Sequence, residues 1–171
     1  VCDRRQSPRR RGLHGQMKLP ASRLGLGTVQ FGTPYGINNE CGQVPFEEVS
    51  RILELAARHG VTFLDTARIY GESEAVLGKA LSELRLRDRF TVCTKLELPS
   101  EYETLGTREL AEATRDSIEA SRDALRDDSL DIVLLHRPAH RFVSDGVVWE
   151  TLLDLRETGR LRHLGVSAAT G

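Results

Sequence analysis

The sequence predicts an α/β protein whose strands run parallel, and three observations carry that prediction. Short apolar runs alternate one for one with segments of helical period. The runs start near residues 24, 61, 90, 130 and 164, a mean step of roughly 35 residues, which leaves room for a crossover helix between neighbours. The composition, 39% hydrophobic and 29% charged over 171 residues, is that of an ordinary packed chain.

Taken in order, the first run is Leu24 to Val29. A helix follows it: Pro45 suits the first helical position, Glu47 and Glu48 the positive end of the dipole, and Gly60 the stop. Phe46, Val49, Ile52, Leu53 and Ala56 then share one face. The second run, Val61 to Leu64, leads into a helix from Ser73 to Leu84 with Leu77, Ala80, Leu81 and Leu84 inward. The third, Phe90 to Thr94, precedes a helix capped by Thr107 that buries Leu110, Ala113, Ile118 and Leu125. The fourth, Leu130 to Leu135, precedes a helix starting near Ser144 or Asp145, burying Val148, Trp149, Leu152 and Leu155 and stopping at Gly159. The fifth run is Leu164 to Ser167.

Two parallel architectures fit this order, the doubly wound open sheet and the (β/α)8 barrel. A complete barrel of such units needs roughly 280 residues, so the second reading makes this chain a barrel truncated after its fifth strand.

Residues 1–16 differ from the rest. They hold five arginines against Asp3, a net of +4, which leaves −5 for the remainder of a chain whose total is −1. A basic arm of this kind can touch nucleic acid. Without an apolar period or an aromatic residue, and with Met17 just after it, the arm reads as a disordered leader, and no nucleic-acid partner is expected. It lacks the apolar stretch of a secretory signal. The longest aliphatic run, Ile132 to Leu135, falls far short of the ~18 residues of a membrane span. Cys2, Cys41 and Cys93 are odd in number and lack CxxC spacing, which points to reduced thiols and a cytoplasmic protein without a metal site.

In both architectures the C-terminal ends of the strands carry the chemistry. Three successive runs end in an ionisable residue: Asp65 after Phe63-Leu64, Lys95 after Val92-Cys93-Thr94, and His136 after Leu134-Leu135. Tyr70 lies five residues beyond Asp65. Singly, each has a plain structural explanation: a turn cap, a solvated rim lysine, a satisfied core histidine. Together at one mouth they form an acid apparatus for hydride transfer to a carbonyl. A free phenol, with a pKa of ~10, is protonated at neutral pH but reluctant to give up its proton. A neighbouring ammonium eases that loss. Asp65 supplies the counter-charge that holds the ammonium, and a neutral His136 orients the carbonyl and shares its developing charge. The hydride has to come from a cofactor.

Five stretches together resemble the aldo-keto reductase family: Gly25-Leu-Gly-Thr-Val-Gln-Phe-Gly32, Phe63-Leu-Asp-Thr-Ala-Arg-Ile-Tyr-Gly-Glu-Ser-Glu74, Thr94-Lys95, Leu134-Leu-His-Arg-Pro138 and Gly159-Arg-Leu-Arg-His-Leu-Gly-Val-Ser167. The first also resembles a bacterial branch associated with polysaccharide or cell-envelope genes. The resemblance spans residues 24 to 170 and implies a (β/α)8 barrel that uses NADPH/NADP on a small carbonyl substrate. It places Tyr70 as proton donor, with Asp65, Lys95 and His136 completing a catalytic tetrad. It further implies cofactor contacts from Gly27, Thr28 and Val29 at the end of the first strand, from Asp65, and from Ser167 at the end of the fifth. Ala168 stands where the family often has Asn, which removes one amide contact. The phosphate-binding strands, sixth to eighth, would follow Gly171.

A dinucleotide fingerprint at Gly25-x-Gly27 fails, because Gln30 occupies the third glycine position. His136-Arg137 is not a kinase loop, since no acidic residue follows. Arg137, His140 and Arg141 read chiefly as solvated surface, with contact to an anionic substrate as their other role; Phe31 and Tyr35 read as substrate wall or ordinary packing.

Three functions follow as expectations. The first is an NADPH-dependent oxidoreductase reducing an aldehyde or ketone. The second is a nucleotide-binding sensor without turnover. The third is a fragment too short to bind NADPH tightly, comprising the leader at 1–16 and a partial barrel at 17–171. Oligomeric state has no signature in the sequence.

Overall fold

The computed structural model describes residues 24–168. The leader at 1–16, Met17, Cys2 and the final residues 169–171 lie outside them. Five strands, β1 (Gly25–Gly27), β2 (Phe63–Asp65), β3 (Thr91–Leu96), β4 (Leu130–Leu135) and β5 (Leu161–Val166), form one sheet in the order β1-β2-β3-β4-β5. Every pairing is parallel. A doubly wound sheet needs an order that reverses at a switch point. This order never reverses, so the fold is α/β with the consecutive parallel strands of a (β/α)8 barrel. Among the described residues, β1 and β5 each pair on one side alone.

Five helices connect the strands: α1 (Val29–Gly32), α2 (Phe46–Arg58), α3 (Ser73–Glu83), α4 (Thr107–Leu125) and α5 (Val147–Glu157). Helix α2 packs on α3, α3 on α4, and α4 on α5, in one row. Their apolar stripes meet the outer face of the sheet. Val49 and Leu53 of α2, Leu77 of α3 and Leu64 of β2 are fully buried, and each such leucine contributes about 2 kcal/mol by leaving water. Where α3 crosses α4 the backbones touch: a Cβ on Gly78 would stand 2.3 Å from the Ala124 carbonyl oxygen.

Several boundaries differ from the sequence reading. The first strand ends at Gly27, because Val29 opens the one-turn helix α1. Pro45 caps α2 and does not enter it, and Gly60, with φ +76°, ends it. The second and third strands each run further than expected, so that Asp65 and Lys95 lie inside them. Gly106, not Thr107, caps α4, its N–H donating to Glu109 Oε2 at 2.9 Å. Ser144 and Asp145 do not start the next helix. Both hold left-handed backbone (φ 44° and 56°), and α5 begins at Val147. The fifth strand begins three residues early, at Leu161.

At the N-terminal side of the sheet Asp131, 6% exposed, accepts hydrogen bonds from Arg87 (2.8 Å), Arg162 (2.7 Å) and the Val92 N–H (2.9 Å). This clamp ties β3, β4 and β5 together and leaves the opposite side for the site.

Candidate active site

Register places the site residues before any side chain is considered. Gly27 pairs with Asp65, Asp65 with Cys93, and Lys95 with Leu134 one pleat further on. Since alternate residues share a face, Asp65, Cys93 and Lys95 point the same way, and His136 follows directly after β4. The residues that the sequence separated by some 70 positions therefore meet at one mouth.

Lys95 is 6% exposed. Its Nζ donates to Asp65 Oδ1, to the Thr66 carbonyl at 3.0 Å and to Tyr70 Oη at 3.4 Å. It is thus no solvated rim lysine. The ring edge of Tyr70 faces His136 at 89°, with centroids 6.3 Å apart. His136 is not a satisfied core histidine either: its Nδ1 is buried and has no partner. Burial, followed by the charges of Lys95 and Arg137, holds its pKa below the ordinary histidine value. His136 therefore remains neutral at pH 7. Burial, reinforced by Asp65, pushes the Cys93 thiol up to about 11, so it stays protonated beside the site.

A second layer, which sequence reasoning missed, fixes the segment carrying Tyr70. Ser73 Oγ donates to the Thr28 carbonyl at 2.8 Å and lies 2.9 Å from Thr28 Oγ1 and 3.0 Å from Thr66 Oγ1. Glu74, 2% exposed, accepts from Thr94 Oγ1 at 2.6 Å and from Arg68 Nη1 at 2.8 Å. A buried carboxylate persists only when so partnered. The sequence shows Ser73 only as the start of the second helix. Gly32 lets α1 press on the same segment, since a Cβ there would stand 1.9 Å from the Tyr70 carbonyl oxygen.

Of the cofactor positions expected from the sequence, Gly27 is exposed, and a Cβ on it would meet nothing within 4 Å. Val29 is half-buried at the start of α1. Ser167 donates its N–H to the Leu135 carbonyl at 2.9 Å, and its hydroxyl makes no hydrogen bond among the described residues. Thr28 differs. It is fully buried, its N–H and Oγ1 both donate to the Asp65 carbonyl (2.9 and 3.0 Å), and its own carbonyl accepts from Phe31 N–H. The hydroxyl expected to face a cofactor is enclosed and ties β1 to β2.

Beyond His136, between the loops after β3 and β4, lies a cavity of about 340 Å³. A wider hollow of about 920 Å³ covers the segment from Tyr35 to Cys41. Its Asn39 is spent on local turns, accepting from Cys41 N–H and Gly42 N–H. No cluster of three or more His, Cys, Asp or Glu that could hold a metal occurs among the described residues. None of their helices is long and apolar enough to cross a membrane.

A parallel βα array thus gathers an ammonium, a phenol and a neutral imidazole at the C-terminal ends of its strands. The comparisons with known proteins agree. The model of the aldo/keto reductase family matches residues 23–170. The chain is 31% identical over 152 residues to aldo-keto reductase YhdN of Bacillus subtilis, covering 87% of this chain and 44% of that protein. It is 33% identical over 152 residues to D-arabinose 1-dehydrogenase of Saccharomyces cerevisiae, covering 85% and 42% respectively. A crystal structure from Pseudomonas aeruginosa, described as an aldo-keto reductase, superposes with a TM-score of 0.72 at 29% identity, covering 92% of this chain and 60% of that one. The chain belongs to the aldo/keto reductase family, and it spans under half the length of the curated relatives it matches.

Proposed function

We propose that the protein reduces an aldehyde or ketone to an alcohol with NADPH in the cytoplasm, with Tyr70 as proton donor and Asp65, Lys95 and His136 completing the catalytic set. The observation that carries the reading is the convergence on Lys95 Nζ. Buried at the end of β3, it touches both the Asp65 carboxylate and Tyr70 Oη.

Two features of the mouth support a nicotinamide cofactor: a Cβ on Gly27 would meet nothing within 4 Å, and the Ser167 hydroxyl makes no hydrogen bond among the described residues. Gly27, Val29 and Ser167 would hold the cofactor, and Asp65 would border it, while Thr28 keeps the strand ends in place from behind. The cofactor, when bound, supplies the hydride. Tyr70 Oη delivers a proton to the carbonyl oxygen as charge develops there. Lys95, donating toward that same phenol oxygen, stabilises the phenolate left behind. Asp65 holds the ammonium in position at low solvent exposure. His136, neutral because it is buried and flanked by cations, presents a ring N–H to the carbonyl oxygen and so fixes the angle at which the carbonyl lies.

Steady-state oxidation of NADPH over a panel of aldehydes and ketones tests the reading. Turnover that saturates with substrate is expected. Cofactor binding without turnover on any member of the panel would favour a nucleotide sensor instead.

A further inference from the structure

Tyr70 sits at the apex of a segment whose two ends are tied to one short stretch of β3. Ile69, Gly71 and Glu72 around it are exposed, and Gly71 turns with φ +58°, so the immediate neighbours in sequence give the phenol no packed support. Arg68, before the apex, donates its N–H to the Lys95 carbonyl at 3.3 Å. Glu74, after it, accepts from Thr94 Oγ1 at 2.6 Å. Arg68 Nη1 then donates to Glu74 Oε2 at 2.8 Å, across the six positions that straddle Tyr70. A closed ring results, running from Lys95 to Arg68, Glu74 and Thr94 and back to Lys95 through the chain. Lys95 is also the residue whose Nζ reaches Tyr70 Oη at 3.4 Å. The phenol and the ammonium therefore hang from the same two residues of β3.

The closure of that ring depends on Arg68. Glu74 is 2% exposed, and among the described residues its carboxylate has the Arg68 guanidinium and the neutral Thr94 hydroxyl as partners. Burying a carboxylate against one neutral donor alone is strongly disfavoured. Withdrawing the guanidinium thus favours movement of Glu74 toward water, which releases Thr94 and opens the ring. Arg68 is itself 28% exposed, and its side chain makes no hydrogen bond to Tyr70, Lys95 or His136 among the described residues. Any effect it has on the phenol passes through Glu74.

We infer that Arg68 is a positioning residue for the proton donor: through Glu74 and Thr94 it holds Tyr70 Oη at hydrogen-bond distance from Lys95 Nζ. The inference rests on the reductase reading for the role of Tyr70. Arg68 takes no part in proton or hydride transfer. It governs the chemical step and leaves the binding of carbonyl and cofactor alone, since misplacing a reacting group by about 1 Å costs on the order of 10²-fold in rate.

The test compares the wild-type chain with Arg68→Lys, Arg68→Met and the double variant Arg68→Met/Glu74→Gln. In Arg68→Met kcat is expected to fall by on the order of 10- to 100-fold, with KM for the carbonyl and for NADPH nearly unchanged. Arg68→Lys, which keeps the charge, should recover part of kcat. The double variant removes both charges of the pair, so it should melt closer to wild type than Arg68→Met does; kcat should nevertheless stay low, because nothing closes the ring. A second readout needs no turnover. The chain has three tyrosines, so ¹³Cζ labelling gives three signals, and the one lost in Tyr70→Phe belongs to Tyr70. That signal should shift in Arg68→Met and in the double variant, while those of Tyr35 and Tyr102 hold. A wild-type kcat in Arg68→Met, a kcat that returns together with thermal stability in the double variant, or a Tyr70 signal that does not move would each overturn the inference. If wild type turns over no carbonyl, the reductase reading fails by itself, and the Tyr70 signal alone decides whether Arg68 places the phenol.

Discussion

The two sides of the mouth treat their polar groups in opposite ways. On the side built by β1, β2 and β3, Thr28, Asp65, Thr66, Ser73, Glu74, Thr94 and Lys95 are all tied to one another or to backbone. On the side built by β4 and β5, His136 and His140 keep unpartnered ring nitrogens, and the Ser167 hydroxyl makes no hydrogen bond. A network satisfied within the protein is rigid before any ligand arrives, and it can place a proton donor without reorganising. Unsatisfied groups cost stability in the free protein and return that free energy when a ligand supplies the missing partner. On the proposed reading, the paired side sets the acid.

The largest effect is expected from breaking the paired side at its centre. Lys95→Met removes the cation from Tyr70 and leaves Asp65 without its counter-charge, so kcat should drop by about 10²- to 10⁴-fold. An unchanged kcat in stopped-flow or steady-state assays would show that the network is structural alone.

Next comes Glu74→Ala. It strips the acceptor from Thr94 and Arg68, and loss of one partner of a buried pair costs about 3–5 kcal/mol. With the Arg68 side chain 28% exposed, the lower figure is expected by urea denaturation. A loss below about 1 kcal/mol, no more than an exposed ion pair is worth, would mean that Glu74 does not anchor the Tyr70 segment.

Glycine replacements sharpen the comparison within β1 and α1. Gly32→Ala drives a Cβ to 1.9 Å from the Tyr70 carbonyl oxygen, so it should destabilise by about 1–3 kcal/mol and depress kcat. Gly27→Ala meets nothing within 4 Å. It should melt as wild type does while weakening NADPH binding, and equal cofactor affinity would remove Gly27 from the cofactor face.

The smallest effect concerns the unpaired side. His136 and His140 have folded pKa values below the ordinary one, whereas in the unfolded chain they take up protons near 6.5. As pH falls below about 6.5 the unfolded state binds more protons, so stability is full above that value and declines beneath it. His140→Phe should flatten part of the decline in thermal melts between pH 8 and pH 5; an unaltered slope would mean that His140 does not contribute.

The same division explains what was legible in the sequence. Asp65, Lys95 and His136 could be read because each ends an apolar run, and in parallel strands such ends gather on one side. The second layer could not be read. Thr28 and Ser73 lie 45 positions apart, Glu74 and Thr94 lie 20 apart, and nothing in a lone serine or threonine announces its distant partner. Val29 has the β-branched shape of a strand residue, yet α1 claims it because Phe31 is drawn into the core, 3% exposed. Ser144 and Asp145 hold left-handed backbone without being glycine, and the Gly146 that follows them is the one mark of the turn in the sequence. His140 read as surface because its neighbours are arginines, yet it is 5% exposed, with the Tyr102 ring packed edge-on against it.

The most direct test of the central claim, that the paired side presents Tyr70 as the proton donor, is Tyr70→Phe measured for kcat and for NADPH dissociation constant together. A fall in kcat of about 10²- to 10⁴-fold with cofactor affinity nearly unchanged is the predicted result. Turnover equal to wild type in that variant would contradict it.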